Sequence, residues 1–147
     1  MNNINTEIVL KKLSSINRDI KRLEEFSSLT VDEYLNDYRK QLPVERLLEL
    51  IIQNAIDINS HILSKLYPGN NLTNFETFIE LAKYNVISAN LAKRIAPSSG
   101  LRNRLVHEYD DMDSRQIFTA ISFALQQYPL YVKQINEYLI SLDVDNE

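Results

Sequence analysis

A chain of 147 residues with 44% hydrophobic and 24% charged side chains reads as one globular domain, long enough to bury a core. Its net charge of −4 supplies no general attraction to nucleic acid or membrane, so any RNA contact must come from a local basic patch. With no cysteine, disulfides, thiolate metal sites and cysteine nucleophiles are excluded, and two glycines with four prolines leave few tight turns for a many-stranded β fold. The first residues lack the basic start and apolar run of a secretory signal, and no apolar run approaches the ~20 residues that span a bilayer. The expectation is a cytoplasmic protein with no membrane partner.

In chain order, Glu7 to Glu25 places Ile8, Leu13, Ile16, Ile20 and Leu23 near helical spacing, which predicts an amphipathic helix. Its other face carries Lys11, Lys12, Arg18, Lys21 and Arg22, either a solvated face or a surface for an RNA backbone. Thr30 to Glu33 has the spacing of a capping box, opening a short helix to about Arg39. Pro43 suits the first turn of the next helix, which runs to about Leu66 and is apolar on more than one face, as a central helix would be. Through it runs a polar stripe of Arg46, Gln53, Asp57 and His61. Asp57 and His61 are one turn apart and within reach of each other, either as a satisfied buried pair or as the wall of a polar cavity or subunit interface.

Tyr67-Pro68-Gly69-Asn70-Asn71 is the clearest turn cluster in the chain. Thr73 and Glu76 form a second capping box, for a helix ending near Asn85, which suits a left-handed helix end. Ser88 caps a short helix, and Pro97-Ser98-Ser99 starts another. Asp113 and Gln116 make a third capping box, for a last helical region that Pro129 should kink or interrupt. The helical core thus covers about 7–142, and residues 143–147 form an acidic, frayed tail. The predicted architecture is all-α, one domain over 1–147, with four principal helices in a bundle and shorter connecting ones.

Polar chemistry concentrates in Leu101-Arg102-Asn103-Arg104-Leu105-Val106-His107-Glu108-Tyr109. On an ideal helix Asn103 and His107 share a face, so the asparagine can hold the imidazole in one tautomer. Arg102 and His107 point about 140° apart, so within one straight helix they cannot grip one small group together. Breaking a phosphodiester without metal needs a base for the 2′-OH, an acid for the leaving oxygen and a cation on the phosphate. One chain offers a single histidine here, whereas two chains meeting along this helix offer two histidines and two arginines. Lys93, Arg94, Arg102 and Arg104 make the local basic patch. His107 has acidic neighbours but no second histidine at ligand spacing, so no metal site is expected, and no glycine-rich phosphate loop exists.

Arg102 to Tyr109 matches the R-x4-H-x-Y pattern and resembles the HepT-like ribonucleases, a branch of the HEPN superfamily and the toxin halves of toxin–antitoxin pairs. Glu45-Arg46, Asp57-Ile58, His61-Ile62, Phe75 to Ala82, Val86-Ile87 and Gly100-Leu101 extend the likeness over approximately Ile8 to Tyr138. The resemblance implies a HEPN-type four-helix bundle, a homodimer, and a composite cleft where two motifs meet to cleave RNA without a metal or other cofactor. By that analogy Arg102 holds the phosphate, with Arg104 as the competing choice, His107 is the general acid or base, and Asn103 orients the histidine or the substrate. It also implies a nucleotidyltransferase-type antitoxin that adenylylates Tyr109. A different class of function stays open alongside it: a non-catalytic accessory subunit that presents nucleotide or substrate to the transferase.

Overall fold

The apolar residues of the first helix recur at alternating steps of four and three, Val9, Leu13, Ile16, Ile20 and Leu23, and all five are buried. That line differs from the expected one at its start, because Ile8 lies 42% exposed while Val9 is fully covered. One residue is 100° of helix, so Val9 and not Ile8 continues the stripe that faces inward. Asp19 shares the buried face, and its carboxylate draws Arg18 Nε and Arg22 Nη1 to 3.4 Å each. The basic face expected on this helix is therefore partly occupied with its own acid, and Lys12 is spent on Asp57 at 3.3 Å.

A computed structural model of the chain describes residues 4–107 and 113–145. Among these there are seven helices and no strand: α1 (Thr6–Glu24), α2 (Val31–Leu35), α3 (Tyr38–Leu66), α4 (Asn74–Lys83), α5 (Ala89–Ile95), α6 (Ser98–His107) and α7 (Ser114–Asp145). α1, α3 and α7 pack on one another, and the α4–α6 segment closes the remaining side of the bundle against α3 and α7. No described helix is long and apolar enough to cross a membrane.

The capping boxes at Thr30/Glu33 and Thr73/Glu76 are both present, with each threonine hydroxyl accepting from the glutamate N–H and each glutamate carboxylate accepting in return. Asn85 ends the α4 corner at φ 62°, and Gly69 supplies the positive φ of 74° in the preceding turn. Two boundaries differ from expectation. α2 stops at Leu35, and α3 begins at Tyr38, five residues before Pro43, because Asp37 caps it by accepting from the Arg39 N–H at 3.0 Å. Gln41 Nε2 then donates back to the Tyr34 and Leu35 carbonyls, so the end of α2 is satisfied by the start of α3. Pro129 does not interrupt α7, which is helical from Ser114 to Asp145. Tyr128 and Tyr131 on either side are fully buried, and that packing holds the helix through its missing N–H. The acidic tail is helical as far as Asp145.

A buried polar chain ties the bundle to the helix that carries the motif. Tyr131 Oη donates to Asn59 Oδ1 (2.6 Å) and lies 3.0 Å from the Ala55 carbonyl, and Asn59 Nδ2 donates to Thr77 Oγ1 (3.3 Å). One turn away, Tyr128 and Ser98 share a 2.7 Å hydrogen bond between α7 and the first residue of α6. Burial pushes both phenols well above their usual pKa, so they stay neutral donors over the whole physiological range.

Asp57 and His61 do not pair with each other. Asp57 accepts from Gln53 Nε2 (2.7 Å) and Lys12 Nζ, while His61 Nε2 accepts from the Asn5 backbone N–H at 2.9 Å. Asn5 is the residue whose side chain caps α1, accepting from Ile8 N–H at 3.2 Å, so His61 anchors the cap of a helix on the far side of the sequence. Burial, with the Lys65 ammonium behind it, holds the imidazole below its ordinary value of 6.5. A base whose folded pKa is depressed takes its proton more readily when unfolded, so its contribution is complete above pH 6.5 and is lost as pH falls through the folded value. Protonation also removes the lone pair that Asn5 uses. The protection factor of the Asn5 amide should therefore fall on acidification below pH 6.5, and His61→Gln should flatten that dependence. A protection factor independent of pH in the parent would contradict this role.

The candidate functional site

α6 follows α5 with only Ala96 and Pro97 between them. Pro97 cannot continue α5, and the next two serines satisfy its last carbonyls: Ser98 Oγ donates to Ile95 O (2.6 Å) and Ser99 Oγ to Ala96 O (2.8 Å). Leu101 and Leu105 then bury their side chains in the bundle, which fixes the rotation of α6. The consequence is that Asn103, Val106 and His107 are exposed and Arg102 and Arg104 are half-buried.

Arg102, Asn103, Arg104 and His107 lie together on this one short helix, but their surroundings differ. Arg102 Nη1 lies 3.4 Å from Asn103 Oδ1, a weak contact at the edge of hydrogen-bonding range. Asn103 is engaged there, and among the described residues no hydrogen bond joins it to His107. Arg104 folds the other way, into a groove between α6 and α7 that it lines with Arg94, Leu101 and Phe123. The Nε atoms of both Arg102 and Arg104 are buried without a hydrogen-bond partner among the described residues.

His107 is exposed and is the last residue of α6 among the described residues. Tyr109 lies outside the described residues, as do Glu108 and Asp110 to Met112. Among the described residues no group of three or more His, Asp or Glu side chains is arranged to hold a metal ion. Asp57 and His61, on α3, serve the α1–α3 junction through Lys12 and Asn5.

Two features of this region were not apparent in the sequence: Ser98 joins the first turn of α6 to Tyr128, and Phe75 and Asn103 line a second groove. Arg94 and Arg104, grouped in the sequence as part of one basic patch, share a groove. For Phe75 the one-dimensional signal was the capping box beside it, which places that residue in the first turn of α4.

The bundle and its motif helix correspond to known proteins. A solved structure of the tri-AMPylated Shewanella oneidensis HEPN toxin in complex with MNT antitoxin superposes with a TM-score of 0.78 at 25% identity, covering 93% of this chain and 99% of that one. The fold is therefore the all-α HEPN type. The family model described as "Ribonuclease HepT-like" matches residues 16–135, and the chain belongs to the HepT-like ribonuclease family. It is 59% identical to the tRNA nuclease HepT of Aphanizomenon flos-aquae over 147 residues, covering 100% of both chains. To the mRNA nuclease HepT of Shewanella oneidensis it is 25% identical over 129 residues, covering 88% of this chain and 96% of the relative.

Proposed function

We infer that this chain is a single-domain HEPN ribonuclease toxin whose working form is a homodimer, and that its substrate is tRNA. The observation that carries the reading is an exposed His107 and a half-buried Arg102 that diverge on α6, so that one chain holds half of a site. Two α6 helices meeting across a twofold axis supply the missing half. In the composite cleft one His107 imidazole takes the proton of the ribose 2′-OH, and the freed oxygen attacks phosphorus. The bond from phosphorus to the 5′ oxygen breaks, and the second His107, protonated, returns a proton to that oxygen. The products are a 2′,3′-cyclic phosphate and a 5′-hydroxyl. Arg102 neutralises the charge that builds on the phosphoryl oxygens, and no metal is required.

tRNA is favoured over mRNA because the relative at 59% identity is a tRNA nuclease and the mRNA nuclease is at 25%. An MNT antitoxin as partner is supported by the complex in which the similar Shewanella toxin is found, and that toxin is tri-AMPylated there. Tyr109 is the residue of this chain that would carry AMP. Each added phosphate would bring an anion to the motif and repel RNA from it. Purified dimer incubated with tRNA in a chelating buffer is expected to cut it at a defined position, leaving a cyclic phosphate. Intact tRNA, or cutting that depends on an added divalent cation, would overturn the reading.

A further inference from the structure

Beside the motif helix lies a groove of about 570 Å³ between the corner before α4 and the face of α6, lined by Leu72, Thr73, Asn74, Phe75, Gly100 and Asn103 among others. Its volume is in the range of small-ligand sites. Phe75 leaves 46% of its surface in solvent, although the rest of the α4 core face, Phe78 and Leu81, is fully buried. The backbone that carries that ring is held by local structure. The reciprocal Thr73–Glu76 box locks the first turn of α4, and Asn70 Oδ1 accepts from the Leu72 N–H at 3.3 Å to hold the turn ahead of it. An exposed aromatic ring on a capped backbone, bordered by two carboxamides, with no acidic side chain in the lining, is the chemistry that takes an unstacked nucleobase. The ring stacks on the base, and the amides meet its hydrogen-bonding edge. Asn103 points into this groove, and its Oδ1 contact to Arg102 leaves Nδ2 as a donor for a ligand. His107 lies one turn further along the same helix, about 6 Å by axial rise.

We propose that the groove is a nucleobase subsite in which Phe75 stacks on an unpaired base of the RNA next to the scissile phosphate, with Asn103 and Asn74 contacting its edge. This rests on the ribonuclease reading above and adds a requirement to it: the nucleotide beside the cut must be single-stranded or flipped out. Discrimination comes from the presence of an accessible base face, since an aromatic ring stacks on every base. Phe75 acts in substrate binding, so its loss should raise KM and leave kcat near the parental value.

The test uses full-length protein carrying His107→Ala, so that RNA stays intact while its binding is measured. Fluorescein-labelled single-stranded RNA, a blunt duplex of the same length, and the single strand with one abasic nucleotide at each position in turn are the probes. Adding Phe75→Ala should weaken single-strand binding roughly 5- to 100-fold, and Phe75→Trp should retain it. Duplex binding should not change, and an abasic nucleotide in the subsite should cost the Phe75→Ala protein nothing further, because both changes remove the same contact. Unchanged single-strand affinity, an equal loss on duplex, or a shift of the dimer to monomer in sedimentation would each overturn the proposal. The two readings fail differently. If otherwise native protein with Phe75→Ala cuts tRNA at the parental KM, the subsite is wrong and the ribonuclease stands. If the parent does not cut tRNA at all, the ribonuclease reading fails.

Discussion

His107→Ala is expected to lower the rate of tRNA cleavage by about 10²- to 10⁴-fold without a change in melting temperature, the scale on which a positioned general acid or base acts. Both halves of that expectation come from its place in the fold. The imidazole is exposed on α6, so nothing in the core collapses when it is removed. Under the twofold arrangement a single substitution removes the base and the acid together, because each is supplied by a copy of the same residue. Cleavage rates at saturating tRNA, with circular dichroism melts of the same samples, provide the check. A variant that cuts within a few-fold of the parent would show that the chemistry lies elsewhere. A variant that melts well below the parent would show that His107 is a structural residue after all.

The second large effect is expected on stability. Tyr131→Ala removes a side chain with no exposed surface, two edge-on ring contacts (Phe78 at 6.0 Å, Tyr128 at 5.9 Å) and the hydroxyl that serves Asn59 and the Ala55 carbonyl. A large aromatic truncated to alanine in a close-packed core costs about 3–5 kcal/mol, which lowers Tm by roughly 10–15 °C for a chain of this size. Tyr131→Phe isolates the polar part. It keeps the ring and strands the Asn59 oxygen inside the core, at a cost of about 1–3 kcal/mol. Chemical denaturation at one fixed protein concentration measures both, since the proposed homodimer would make apparent stability concentration-dependent. If Tyr131→Ala costs less than Tyr131→Phe is expected to, the buried network does not hold the bundle together.

The parts of this fold that were legible in the sequence are those written in local chemistry. Thr30 with Glu33, Thr73 with Glu76, Ser88 and Asn85 each specify a helix end through groups within three or four residues, and each is found in that role. What was misread depended on competition between signals or on partners far away in the chain. Asp37 and Pro43 both announce a helix start, and the carboxylate won because it satisfies an N–H while proline merely tolerates the position. Pro129 reads as a break until the two buried tyrosines beside it are placed in the core. Asp57 and His61 are neighbours on α3, yet their partners Lys12 and Asn5 lie 45 and 56 residues away on the N-terminal segment.

The candidate site shows the same division. Arg102, Asn103, Arg104 and His107 were legible as a polar cluster on one helix, and their divergence followed from helical geometry alone. Spacing did not reveal which way Asn103 turns, because a rotamer is chosen by what lies beside it, here the Arg102 guanidinium and the groove opposite Phe75. Nor did it reveal that Arg104 leaves that cluster for the α6–α7 groove.

The central claim is that one working site takes His107 from each of two chains, and subunit mixing tests it most directly. Parent and His107→Ala protein are mixed in varying ratio, allowed to exchange subunits, and assayed for tRNA cleavage at constant total protein. With one composite site per dimer, activity should follow the square of the parental fraction, about a quarter at an equal mixture. A linear decline, to about a half at that point with exchange confirmed, would mean that each chain carries a complete site and would contradict the account.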